Sequence, residues 1–250
     1  MKQPVVDYRK FRFSKLNDPE FSHLKLLAGW LVYFLFYFLT ENFIPYDACH
    51  VMHSRLDDLI PFNEFFFIPY CFWYVLIVIS LGYFLLYDIE NFKNLQKYII
   101  ITQVVAMAVY IVYPSIQDLR PTEFARDNFF THLAAFIYKM DTPTGVCPSL
   151  HVAYSLGIGS CWLKEKQAGK LWKAFVVFNV FLISAATMFV KQHSAIDVAC
   201  ALPLGLLFPL TPAAALYGCL FYVQNAGNRP WLLIPGIFCL LVGCLAVFTS

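Results

Sequence analysis

Long uninterrupted apolar runs constrain this chain more than any other feature of its sequence. A helix needs about 20 mostly apolar residues to cross the ~30 Å hydrocarbon layer of a bilayer. Leu24–Ile44 is the first such run, broken only by Lys25 and Glu41. Phe65–Tyr87 is the second and Tyr98–Tyr113 a shorter third. Cys147–Leu163, Trp172–Val190 and Ser194–Leu210 follow, and Trp231–Ser250 reads as a seventh. Thr211–Val223 either prolongs the sixth run past Pro203, Pro209 and Pro212 or belongs to a separate segment. Composition agrees: 60% of residues are hydrophobic, 14% are charged, and mean hydropathy is +0.61. Soluble domains carry about 25% charged residues, so disorder, collagen, coiled coil and a disulfide-stapled secreted fold are excluded. A net charge of +2 gives nucleic acid no electrostatic foothold.

The expected fold is therefore an all-α integral membrane protein. A cytoplasmic tail (1–23) precedes a six-transmembrane-helix bundle (24–210), and an extension (211–250) adds about one more transmembrane helix. The tail is polar and mixed in charge and shows no cleavable signal. Placing it in the cytoplasm leaves 13 of the 18 lysines and arginines in inner segments and 5 outside, the positive-inside asymmetry. Neither an internal repeat nor a low-complexity tract is visible. Six of the eight cysteines fall in or beside apolar spans, where cysteine behaves as a small hydrophobe. Cys49 and Cys147 both map to outer loops, where a disulfide between them is an open alternative. Nothing in the sequence sets an oligomeric state.

Three short constellations fall on the expected outer face. In Asp118-Leu119-Arg120-Pro121, the proline forces an extended backbone at Arg120, whose planar fork suits bidentate capture of a phosphate. A solvated loop arginine is the plain alternative. Cys147-Pro148-Ser149-Leu150-His151 opens the fourth span with proline in its favoured helix-start position. Free backbone N–H groups there favour an anion; Ser149 adds a hydroxyl and His151 a proton donor near neutrality. The alternative is a capping serine with an interfacial histidine. In Lys191-Gln192-His193-Ser194-Ala195-Ile196-Asp197, His193 and Asp197 are four apart and share a helix face. A carboxylate on one imidazole nitrogen makes the other the better nucleophile, and an acid inside an apolar span is costly unless it has a partner. A polar pair that merely joins helices would look the same. His50 and His53, among Asp47, Asp57 and Asp58, suggest a metal only loosely, because no metal-ligand spacing is present.

The order Arg-Pro, Pro-Ser-x-His, His-x-x-x-Asp resembles the type 2 phosphatidic acid phosphatase superfamily of membrane lipid phosphatases and phosphotransferases. That resemblance implies metal-independent, cofactor-free catalysis at the extracytoplasmic face. It implies His193 as the nucleophile of a phosphohistidine intermediate, Asp197 as its orienting carboxylate and His151 as general acid. Arg120 and Ser149 would hold phosphate oxygens. Two family cations are missing: their places are taken by Tyr113 and Thr187, and Leu150 stands where the second motif usually has glycine. Lys191, two residues before His193, is the candidate replacement. These departures are similar to the inositol phosphorylceramide synthase branch, in which an alcohol replaces water as acceptor. The expected partners are the bilayer and a phospholipid, isoprenoid phosphate or sphingolipid phosphate substrate. Two readings from other classes remain: a non-catalytic lipid or anion transporter or binding protein, and a structural membrane subunit.

Overall fold

A computed structural model of the chain describes residues 3–206. The expected seventh span and the 211–250 extension lie outside the described residues, as does the end of the sixth run. The described part is dominated by helices: α1 (Ala28–Phe43), α2 (Arg55–Leu59), α3 (Phe67–Tyr87), α4 (Ile89–Val112), α5 (Phe129–Met140), α6 (Leu150–Lys164), α7 (Lys170–Phe189) and α8 (Ala195–Leu206). Two two-residue strands, β1 (His50–Val51) and β2 (Ser115–Ile116), pair in parallel and join the two long connections at the site end of the bundle.

Among the described residues, four helical stretches are long and apolar enough to cross a membrane: Ser22–Phe43, Glu64–Tyr87, Ile89–Val112 and Lys170–Phe189. The helices α6 and α8 occupy the expected fourth and sixth runs but are shorter. The third run begins earlier than its hydropathy indicates, at Ile89 rather than Tyr98. Asp88 caps it by accepting the Asn91 N–H at 3.0 Å, and Phe92 and Leu95 turn inward while Lys93 and Lys97 face outward. Window averages miss such a turn because its charged and buried residues cancel. α5 was not expected as an element at all. Its 12 residues are amphipathic and too short for a span, and Asn128 caps it through the N–H groups of Phe130 and Thr131.

The helix α6 is the hub, packed against α3, α4, α7 and α8, while α1 leans on α4. With its neighbours it buries a large apolar cluster that includes Leu76, Phe84, Ile99, Ile158 and Ile183. Polar cross-links tie this core: Tyr98 Oη donates to the Ala153 carbonyl at 2.8 Å, and Trp162 Nε1 donates to Ser80 Oγ at 2.9 Å. The outer surfaces are apolar as well. α1 has no buried residue, and Leu31, Val78 and Phe181 are 74%, 70% and 72% exposed, as a bilayer-facing surface requires. The N-terminal segment is packed on the bundle rather than hanging free. Tyr8 Oη lies 2.8 Å from both the Leu85 carbonyl and His23 Nε2, and Phe21 and His23 are buried.

Gly157 marks a close approach of α4 and α6: a Cβ there would lie 2.3 Å from the Tyr98 ring, which its hydroxyl pins in place. Gly157→Ala should therefore cost about 1–3 kcal/mol through overpacking, lowering Tm by several degrees in a detergent-solubilised melt. Gly82→Ala, where nothing lies within 4 Å, is the control and should leave Tm unchanged or slightly raised. Equal melting of the two variants would contradict the close α4–α6 contact.

Candidate active site

The turn between α7 and α8 sets the position of His193. α7 ends in a Schellman motif: the Lys191 N–H bonds the Met188 carbonyl at 3.1 Å and the Gln192 N–H bonds the Thr187 carbonyl at 3.0 Å. That geometry needs a left-handed residue, and Lys191 supplies it with φ 52°. Glycine is usual there, and a side chain costs roughly 1–2 kcal/mol. The Lys191 ammonium offsets that cost by donating to the backbone carbonyls of Asp57, at 3.0 Å, and Ile60.

Asp57 holds the start of α8 from outside the helix. Its carboxylate accepts from Ser194 Oγ at 2.6 Å and the Ala195 N–H at 2.8 Å, and from the Ser54 N–H and hydroxyl at 2.7 and 2.8 Å. Burial pushes this carboxyl up, but the four hydrogen bonds outweigh it and hold the group below its ordinary 3.8. Asp197, fully buried, closes the turn from inside by accepting the Ser194 N–H at 2.8 Å. Two carboxylates thus bracket a four-residue turn.

Within that frame the three constellations meet. His193 Nδ1 faces Asp197 Oδ2 at 3.4 Å, and His193 Nε2 faces His151 Nδ1 at 3.3 Å. Both distances are long for hydrogen bonds. Ser149 is the N-cap of α6, its Oγ accepting the Val152 N–H at 3.5 Å, and its own N–H bonds the Asp197 carbonyl at 3.1 Å. The imidazole of His151 lies against the rings of Tyr70 and Trp73, at centroid distances of 4.7 and 4.2 Å.

Both histidines line a cavity of about 630 Å³. Its polar end carries Asp141, Thr142, Thr144 and Gln192. From there it runs between α1 and α3, walled by Trp30, Tyr33 and Tyr37 on one side and Tyr74, Val78 and Leu81 on the other. Tyr70 to Leu81 is eleven helical steps, about 16 Å of depth. Exposed Tyr74, Val78 and Phe34 form its flank, so the cleft opens sideways through the apolar surface.

The two expected phosphate cations are placed differently from the histidines. Arg120 is brought to the site but turned into backbone: Nη1 donates to the carbonyls of Tyr138 and Asp141 at 3.2 and 2.8 Å. Its Nη2 donates to the Thr142 carbonyl at 3.2 Å and to Gln192 Oε1 at 2.5 Å. Asp141 lies 3.8 Å away, and burial lowers the arginine's pKa and raises that of the aspartate. Neither Arg120 nor Lys191 lines the cavity, and the carbonyls that hold the Lys191 ammonium belong to the α2 region. Tyr113 stacks on His50 at 3.9 Å and Thr187 is buried.

The loosely clustered residues of the first loop have structural partners. His53 bridges Asp58 and Asp118, at 2.8 and 3.4 Å, and Asp57 is the helix clamp. Among the described residues no group of three or more His, Cys, Asp and Glu is arranged to hold a metal. Cys49 and Cys147 are both free thiols. Sequence reasoning gave Asp57 only a place in a loose metal cluster and passed over Gln192. Ser54-x-x-Asp57 carries a capping signature that exposes the first, whereas Gln192 bears no signal beyond its place beside His193. Comparison of the chain with protein-family models, with curated proteins and with solved structures finds no match.

The Asp57 clamp has a pH signature. A carboxyl depressed in the folded state contributes stability that is present above its unfolded value and is lost as pH falls through its folded value. Asp57→Asn should therefore lower Tm at neutral pH, by an amount reflecting about 0.5–2 kcal/mol for a lost helix clamp. The gap to the unmodified protein should narrow as pH falls below 3.8. A gap constant from pH 7 to pH 3 in thermal melts would show that the Asp57 charge has no part in holding the turn.

Proposed function

We propose that this protein is a metal-independent membrane enzyme that removes or transfers a lipid phosphate through a phosphohistidine at His193. The observation that carries the reading is the arrangement around one imidazole: Asp197 on Nδ1 at 3.4 Å, His151 on Nε2 at 3.3 Å, both histidines lining the cavity. Asp197 favours the tautomer with the proton on Nδ1, leaving the Nε2 lone pair free to attack phosphorus. As the new N–P bond forms, the bond to the leaving alcohol breaks and His151 delivers a proton to that oxygen. In the second half, His151 takes a proton from the incoming acceptor, whose oxygen attacks phosphorus and releases His193. Most of the catalysis in phosphoryl transfer comes from positioning and charge stabilisation, which suits a site of few groups.

The sideways-opening apolar cleft supports a lipid as donor, since chains can stay in the bilayer while the phosphate reaches the histidines. Six crossings by α1, α3, α4, α6, α7 and α8, with the site end on the extracytoplasmic side, complete the proposal; the orientation rests on the asymmetry of lysines and arginines. The acceptor is water, making the protein a phosphatase. The aromatic lining favours a second reading, in which a lipid alcohol enters the cleft as acceptor and the enzyme transfers the phosphate or phospho-head group. A transporter or inert binding protein has no need of an Asp-oriented imidazole facing a second one.

Turnover of a short-chain phosphatidic acid in excess EDTA tests the reading. His193→Ala should abolish it and Asp197→Asn should lower it by orders of magnitude. Phosphate release marks a phosphatase, and appearance of a new phospholipid only with an added lipid alcohol marks a transferase. Undiminished activity in His193→Ala would overturn the mechanism.

The role of His151 has a separate signature. His151→Ala should slow formation of the phosphoryl enzyme from a lipid phosphate by at least about a hundredfold, in keeping with the usual size of general acid catalysis, and spare the first-turnover release of p-nitrophenol from p-nitrophenyl phosphate, whose leaving group needs no proton. Equal losses in that first step on both substrates would remove His151 from the acid role.

A further inference from the structure

The proposed chemistry needs donors for the phosphoryl oxygens, yet the nearest cation is already committed. Four of the five N–H bonds of Arg120 go to three backbone carbonyls and to Gln192 Oε1, and Arg120 does not line the cavity. Lys191 is likewise engaged elsewhere. Gln192 stands between. It is adjacent to His193 in the chain, 3% exposed, and lines the cavity.

The orientation of its amide follows from its partner. Arginine has only donors, so the atom facing it must be the amide oxygen. The amide nitrogen is then turned away from the guanidinium. Gln192 Nε2 is buried and donates to no protein atom. A buried amide donor without an acceptor is costly, and such groups in a folded protein call for an explanation.

We propose that Gln192 Nε2 is a phosphate-contacting donor of this site, with Arg120 as the positioning residue that acts through it. The guanidinium fixes the amide by its oxygen and polarises it, so that the N–H₂ end carries positive character toward an anion beside His193. A neutral amide in place of a direct arginine also accounts for how the site functions with both other cation positions filled by Tyr113 and Thr187. The inference rests on the phosphate-transfer reading above, but its test does not depend on turnover.

Calorimetric titration of the detergent-purified full chain with inorganic phosphate reads the contact directly. Gln192→Leu should weaken phosphate binding by about tenfold or more, the usual size of a hydrogen bond to a charged group. Gln192→Glu keeps an acceptor for Arg120, and with it the fold, but loses both donors; it should weaken phosphate at least as much. Binding of an uncharged short-chain diacylglycerol should stay within about twofold in both, which a general collapse of the site would not allow. Phosphate affinity within twofold of the unmodified protein in Gln192→Leu overturns the inference, and so does retained affinity in Gln192→Glu if the leucine variant fails to fold. Absence of phosphate binding by the unmodified protein overturns it too. Phosphate binding that depends on Gln192 in a protein without turnover supports the contact and removes the enzymatic reading alone.

Discussion

Everything at the site end depends on how two buried carboxylates hold the turn from Lys191 to Ser194. Asp57 reaches in from the first long connection and Asp197 from inside α8, and between them they take the N–H groups of Ser194 and Ala195. A helix start leaves N–H groups without intrahelical partners, and in an apolar bundle water is not at hand to satisfy them. Carboxylates at that point cap the helix and complement its positive end. The same turn carries His193, so the stability of the cap and the aim of the imidazole are one problem. The Schellman end of α7 and the Lys191 ammonium fix the turn from the other side.

This arrangement separates charge from chemistry. Lys191 and Asp57 are structural, joined through backbone, while the cavity receives the two imidazoles and neutral donors and acceptors, with Asp141 the one acid at its polar end. A cleft beside lipid gains from that division, because a free cation or anion facing hydrocarbon is expensive. Arg120 fits the same pattern, its charge dispersed over carbonyls and passed toward the cavity through an amide.

Much of the helical plan was legible from hydropathy, because apolar length is a direct physical requirement for spanning a bilayer. The start of α4 was not, since Lys93 and Lys97 mask the inward Phe92 and Leu95. α5 was not, because its 12 residues are too few to span a bilayer and its apolar stretch is correspondingly short. At the site, His193 and Asp197 do face each other, but His193 lies in the turn before α8 and not on its face, and α6 opens at Leu150 with Ser149 as its cap and Pro148 outside the helix. The partners that come from distant sequence, Asp57 to Ser194 and Arg120 to Gln192, could not be read, because nothing local to either residue records which loop folds over it.

Rapid quench of the protein with radiolabelled phosphatidic acid, followed by peptide mass spectrometry, addresses the central claim most directly. The account predicts a phosphoryl adduct on His193 that is stable in base and lost in acid, absent from His193→Ala and accumulating in His151→Ala with a p-nitrophenyl phosphate donor. Label on a carboxylate or serine, or turnover with no label on His193, would contradict it.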